Sequence, residues 1–361
     1  MQYKSLVFSG GGALACAYIG ALEELDSRGI LKNIDNYAGS SVGSLFASLL
    51  ACGASVQFLN KELKKLNLKE LKDDSVGILR DIYRICSEYG YCKGNKLLNL
   101  CEKYICELTG NPKYTFNQLK IDKNKILVIT GSNLNLKKTV LFSYKTYPDM
   151  PIALAIRISC SYPFIFRAVE YLGELYIDGG LLLNYPINVF DYINDVMDIK
   201  KYVFESGTID YSSNQAVIIK NDEQTLGFKF IFDNAQNNME ISNIKDYIES
   251  FISSMHDTIQ QLHIKKTDIS RTIMINTGKF SSMNFDITNE DKNWLIQQGN
   301  KATKEFLIPT HVLTYPQKEH SREGILREGE SSRSAQSPHP MSSKKMPSVD
   351  IIINCFVNIS D

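Results

Sequence analysis

Short apolar runs alternating with stretches of helical period set the outline of this chain. Leu6-Val7-Phe8 is an apolar run of strand type, and Ala13 to Leu25 then places Leu14, Tyr18, Leu22 and Leu25 on one helix face. Ile34 to Ala38 forms a second short strand, leading to Ser44-Leu45-Phe46-Ala47-Ser48-Leu49-Leu50-Ala51, which reads as a buried helix. Helices are predicted over Ser55 to Leu66, Ser75 to Glu88 and Asn95 to Leu108, an insertion ahead of the strand Lys125 to Ile129. Thr139 to Tyr144 is a further strand, Pro151 to Ser159 a short helix with proline at its start, and Leu175-Tyr176-Ile177 a strand. Tyr202-Val203-Phe204 and Thr272 to Ile275 complete the expected sheet, whereas residues 205–245 show no usable period. Strands alternating with helices predict an α/β fold with a largely parallel sheet.

Three glycine clusters punctuate this pattern where strands end. The pentad Gly39-Ser40-Ser41-Val42-Gly43 follows the second strand. Flanking glycines there allow a sharp strand-to-helix turn that exposes the Ser41 hydroxyl, the arrangement of a nucleophile elbow. The triplet Gly10-Gly11-Gly12 follows the first strand and precedes a helix. Backbone N–H groups left unpaired at such a junction make an anion cradle, and opposite an activated serine the anion is an acyl oxyanion. Gly10, Gly11 and Gly12, with Val42 from the elbow, are therefore the expected oxyanion donors. A tight turn that merely packs helix on strand is the plainer alternative for the triplet. Gly10-x-Gly12-x-x-Ala15 also fits a dinucleotide fingerprint, but the acidic residue that should close the next strand is missing, since Asp35 falls inside it.

Ser41 needs a base. The chain has five histidines, and none lies in a strand-end turn flanked by small residues. His256 and His263 share a helix face, while His311, His320 and His339 lie beside or within a polar tail. Asp178 does lie in such a turn, closing a strand and followed by Gly179 and Gly180. A carboxylate in a partly desolvated turn can take a serine proton directly. An ordinary hairpin turn is the alternative for Asp-Gly-Gly in isolation; the preceding elbow and triplet favour the base.

At this point the chain resembles the patatin-like phospholipase family, whose members use a Ser–Asp dyad. The resemblance is carried by Ser9-Gly10-Gly11-Gly12 through Ile19-Gly20-Ala21-Leu22 and by Gly39-Ser40-Ser41-Val42-Gly43-Ser44-Leu45. It continues in Ile158-Ser159-Cys160-Ser161-Tyr162-Pro163-Phe164-Ile165-Phe166 and in Tyr176-Ile177-Asp178-Gly179-Gly180-Leu181-Leu182-Leu183-Asn184-Tyr185-Pro186-Ile187. These stretches span roughly residues 3–190, and the helix near Trp294 to Phe306 is expected to end the same domain. The resemblance implies a three-layer α/β/α sandwich and a lipid acyl hydrolase of phospholipase A type. It also implies a catalytic pair Ser41 and Asp178, with no metal and no cofactor. Leu14 and Ala15 stand where family members commonly carry a basic residue and then glycine, which removes a positive charge from beside the oxyanion. A weakly active or inactive lipid-binding protein, or an acyltransferase on the same scaffold, is the alternative reading.

Composition narrows the setting. Forty basic and forty acidic side chains cancel, so no electrostatic footprint for nucleic acid is present. Eight cysteines form neither a Cys-x-x-Cys pair nor a metal pattern, which points to reduced thiols and an intracellular protein. Reading the N-terminus as a signal peptide fails because cleavage would delete the glycine triplet. No run of about twenty apolar residues appears, so no spanning helix is expected, and contact with a bilayer would be peripheral and reversible. Lys61, Lys64, Lys65, Lys69 and Lys72, with Tyr83, Tyr89 and Tyr91, suit either a lipid-facing lid or an amphipathic layer packed on the sheet, and the packed layer is preferred. The catalytic domain is expected over residues 1–315, followed by a polar tail without aromatic residues over 316–348 and a short strand-like end over 349–361.

Overall fold

The computed structural model describes residues 2–64, 87–191, 224–232, 241–242, 247, 250–254, 266–282 and 287–308. All lie within Met1–Thr310, one of two units in the chain; the second, His311–Asp361, falls outside them. Also outside are the five histidines, Tyr202 to Phe204, most of the helix expected over Ser75 to Glu88, and the tail.

The strands are β1 (Ser5–Phe8), β2 (Asn36–Gly39), β3 (Gly90–Cys92), β4 (Ile126–Asn133), β5 (Lys138–Phe142), β6 (Phe164–Phe166), β7 (Val169–Tyr171), β8 (Glu174–Asp178), β9 (Thr225–Ile231) and β10 (Thr272–Asn276). The helices are α1 (Cys16–Ser27), α2 (Val42–Ala51), α3 (Val56–Lys64), α4 (Asn95–Thr109), α5 (Phe116–Lys123), α6 (Ile152–Ser159), α7 (Gly180–Leu183) and α8 (Asn289–Phe306). The main sheet runs β10-β9-β1-β2-β4-β8-β7, with β5 also on β4. From β10 to β4 every pairing is parallel, and beyond β4 the pairings are antiparallel. The fold is thus the expected α/β type with a mostly parallel sheet.

Both faces of that sheet are covered. On β1, Leu6 and Phe8 join the core cluster made with α1, α2 and α8, while Val7 points to a second cluster with Leu183, Tyr185, Ile187 and Phe190. A two-residue alternation on a strand with no exposed face explains why β1 reads as a continuous apolar run. Phe8, Tyr18, Phe46, Phe228 and Phe230 pack ring against ring within the first cluster, stacked or edge-to-face, with ring centroids 4.7 to 6.3 Å apart. Helix α3 buries Val56, Leu59 and Leu63 and exposes Lys61, an amphipathic element packed on the core in this part of the insertion.

Local starts and stops follow cap chemistry. Thr115 with Gln118 and Thr288 with Asp291 form capping boxes that begin α5 and α8. The period placed α8 only from Trp294; its true start lies at the cap. The expected helix from Ala13 divides into a 3-10 turn over Gly12–Ala15 and α1 proper. Strand β9, between β1 and β10, is a finding that periodicity missed. It is buried along most of its length on both sides, and Gly227 and Lys229 break its apolar run.

Candidate active site

Strand β4 brings the site together through register. Ile129 pairs with Gly39 on one edge and with Phe142 on the other, and Gly131 pairs with Asp178 and with Val140. Because β5 occupies the second edge at both positions, β2 and β8 share the first edge in tandem. The C-terminal end of β2 therefore meets the C-terminal end of β8 head-on, two residues apart along β4. The elbow and the acid turn emerge at that junction.

At the elbow, Ser41 has φ 49° and ψ −130°, a backbone state that non-glycine residues rarely adopt. Close packing forces it: a Cβ on Gly39 would lie 2.3 Å from the Gly43 carbonyl oxygen, and one on Gly43 would lie 2.5 Å from the carbonyl oxygens of Phe8 and Ser9. Helix α2 starts immediately after, with Val42 as its first residue. The Ser41 N–H donates to Ser159 Oγ at 2.8 Å, and the Ser41 carbonyl accepts from Ser44 Oγ at 2.6 Å.

Ser41 Oγ donates to Asp178 Oδ2 at 2.8 Å. Asp178 is 3% exposed, and its Oδ1 accepts from the Gly180 N–H at 2.7 Å. The acid turn is pinned from outside as well: the Asp178 N–H donates to the Ser161 carbonyl and the Gly179 N–H to the Ser159 carbonyl. Ser132 Oγ donates to the Asp178 carbonyl at 2.8 Å. A partly exposed hydroxyl and a buried carboxylate at this distance have the geometry that a nucleophile and its base require.

The glycine triplet lies beside the elbow. Tyr18 OH donates to the Ser9 carbonyl at 2.7 Å, fixing the end of β1 against the aromatic cluster. Gly12 has φ +50°, and a Cβ there would sit 2.1 Å from the Ser282 carbonyl oxygen, so only glycine suits the position. Among the described residues nothing accepts from the N–H groups of Gly11, Gly12 or Val42, and all three residues are partly exposed. Gly10 corrects the expectation for the triplet. It is buried, and its N–H donates to the Asn184 carbonyl at 3.1 Å, so Gly10 has no donor left for an anion.

Arg157 braces the same region. It is 4% exposed and donates to the carbonyls of Gly94, Lys93 and Arg167 at 3.0, 2.9 and 3.1 Å, and also to Ser161 Oγ. Burial, and after it the charge of Asp178, hold the Cys160 thiol well above its ordinary range, so a thiolate does not compete with Ser41. Leu14, at the position noted for its missing positive charge, is fully buried in the core. The described residues contain no group of three potential metal ligands and no helix long and apolar enough to cross a membrane. Their six cysteines are free. Periodicity and motif spacing gave no role to Ser159 or Asn184, although both lie in the segments that carried the resemblance.

Known proteins resemble this chain in sequence and in fold. The uncharacterized protein R571 of Acanthamoeba polyphaga mimivirus is 35% identical over 310 residues, covering 85% of this chain and 94% of that protein. The probable lipid hydrolase 463L of Invertebrate iridescent virus 6 is 30% identical over 190 residues, 52% of this chain and 63% of the viral protein. VipD from Legionella pneumophila superposes with a TM-score of 0.53 at 18% identity, over 85% of this chain and 67% of VipD, a likeness of fold. A model of the patatin-like phospholipase family matches residues 6–191, the stretch that holds β1, the elbow and the acid turn, and the chain belongs to that family.

Proposed function

We propose that this protein is a lipid acyl hydrolase of phospholipase A type, cleaving carboxylic esters of phospholipids or other acyl lipids through Ser41 and Asp178. The observation that carries the reading is the 2.8 Å bond from Ser41 Oγ to Asp178 Oδ2, made by a serine at positive φ beside uncommitted N–H groups. Family membership and the similarity to a probable lipid hydrolase support an ester of a lipid as substrate.

Ser41 Oγ attacks the ester carbonyl carbon as its proton passes to Asp178 Oδ2. The carbonyl π pair moves onto oxygen, and the N–H groups of Gly11, Gly12 and Val42 hold that oxyanion. Each such donor is worth about 3 kcal/mol in the transition state. Collapse expels the alkoxide, which takes the proton from Asp178 and leaves an acyl ester on Ser41. Water then attacks the acyl group, giving its proton to Asp178, and collapse releases the fatty acid while the proton returns to Ser41.

Substrate in a bilayer is reached by reversible docking, for which the basic stretch Lys61 to Lys72 is the proposed contact; Lys65, Lys69 and Lys72 lie outside the described residues. A lipid panel with the parent and Ser41→Ala proteins tests the reading. The parent releases fatty acid and reacts with a fluorophosphonate, and the variant does neither. A parent that is never labelled, even with lipid in excess, replaces the hydrolase with a lipid-binding protein on this scaffold. Vesicle binding that rises with anionic lipid and falls in the Lys64→Glu, Lys65→Glu, Lys69→Glu variant tests the docking surface.

A further inference from the structure

Ser159 is the last residue of α6 and is fully buried. Its hydroxyl oxygen accepts the Ser41 N–H at 2.8 Å, and its carbonyl accepts the Gly179 N–H at 3.2 Å. Two residues on, the Ser161 carbonyl accepts the Asp178 N–H at 2.9 Å. One short segment thus grips the backbone of both the nucleophile and the base. We infer that Ser159 is a positioning residue, holding the Ser41 backbone at positive φ so that its Oγ stays aligned on Asp178. The inference rests on the hydrolase reading above.

The physical need is specific. A non-glycine residue in the Ser41 conformation costs about 1–3 kcal/mol and persists only where surrounding structure over-determines it. The bonds from Ser44 to the Ser41 carbonyl are local and come from the first turn of α2. Among the described residues, the bond to Ser159 is the one that reaches Ser41's backbone from a distant element, 118 residues away in sequence. It also gives an acceptor to an N–H that the sharp turn has taken out of the strand ladder. Without it, the elbow is free to relax toward ordinary helical geometry, and the hydroxyl swings off the carboxylate.

The test compares Ser159→Ala with Ser48→Ala. Ser48 is a buried serine of the same helix as the elbow, and its hydroxyl donates to the Ser44 carbonyl at 2.7 Å without touching Ser41 or Asp178. Hydrolysis of 4-nitrophenyl butyrate, fluorophosphonate labelling rate and melting temperature are measured for both variants and the parent. In Ser159→Ala, kcat and labelling rate fall together by about 10- to 100-fold while KM stays within about twofold. Ser48→Ala loses melting temperature but keeps both rates.

If Ser159→Ala labels as fast as the parent, the positioning role is wrong and Ser159 merely satisfies a buried amide. If Ser159→Ala fails to fold, Ser159→Cys, which keeps a weaker acceptor in nearly the same volume, must show the same rate loss to a smaller degree. Parent-like rates in that variant overturn the inference. A parent that neither labels nor turns over overturns the hydrolase reading and this inference with it. An active parent with an equally active Ser159→Ala overturns this inference alone.

Discussion

Gly10 and Asn184 exchange two hydrogen bonds: the Gly10 N–H donates to the Asn184 carbonyl at 3.1 Å, and Asn184 Nδ2 donates to the Gly10 carbonyl at 3.3 Å. This pair rivets the glycine triplet to the segment just after the acid turn. It also divides labour within the triplet, since the Gly10 N–H is spent on structure while those of Gly11 and Gly12 have no acceptor among the described residues. Asn184→Ala keeps the main-chain bond and loses the side-chain one. The expected result is a fall in kcat of about tenfold with little change in KM. Steady-state kinetics on a soluble ester will show it, and an unchanged kcat would remove Asn184 from the assembly.

The dyad should behave as a unit. Asp178→Asn and Ser41→Ala each lower esterase rate by about 10³-fold or more, and the double variant is no slower than the worse single one. Losses that multiply in the double variant would mean the two side chains act in separate steps. Replacing His256, His263 or His311 singly with Ala is expected to leave turnover within about threefold of the parent. A thousand-fold loss at any of them would reveal a triad instead.

Helices α1 and α8 approach so closely that each needs glycine at the crossing. A Cβ on Gly20 would lie 1.8 Å from the Ile296 carbonyl oxygen, and one on Gly299 would lie 1.8 Å from that of Ala17. Alanine is the better helix former by about 1 kcal/mol, which favours substitution in isolation. Overpacking against backbone, which has no rotamer to give, costs up to about 3 kcal/mol and wins. Gly20→Ala is therefore expected to be destabilised by about 2 kcal/mol in urea unfolding. A midpoint at or above the parent's would show that the helices part freely.

Stability should decline on the alkaline side. Burial pushes the Cys52 and Cys101 thiols up to about 12. In the unfolded chain a thiol titrates at about 8.5, so above that pH the unfolded state holds fewer protons than the native one. Stability from these groups is fully present below about pH 8.5 and is lost as pH rises through the folded values near 12. Melting temperatures measured between pH 7 and pH 10.5 are expected to fall above about pH 8.5, and less steeply in Cys101→Ala. An identical slope in that variant would place the loss elsewhere.

Local chemistry alone determined much of this protein. Glycines at the ends of apolar runs marked the triplet, the elbow and the acid turn, because sharp strand-to-helix turns depend on residues within a few positions of one another. The same locality made β1, α2 and α6 legible from period and from the proline before Ile152. What only the tertiary structure decided rests on pairing between distant segments. The tandem seating of β2 and β8 along one edge of β4 joins Ser41 to Asp178, and no period encodes which edge a strand takes. Strand β9 escaped notice because its alternation of Leu226, Phe228 and Phe230 with Gly227 and Lys229 is only a few residues long and lies in a stretch with no other usable period. The roles of Gly10 and Ser159 were hidden for a related reason. A backbone N–H looks the same in every sequence, and whether it is free to bind an oxyanion depends on which distant carbonyl or hydroxyl the fold brings to it.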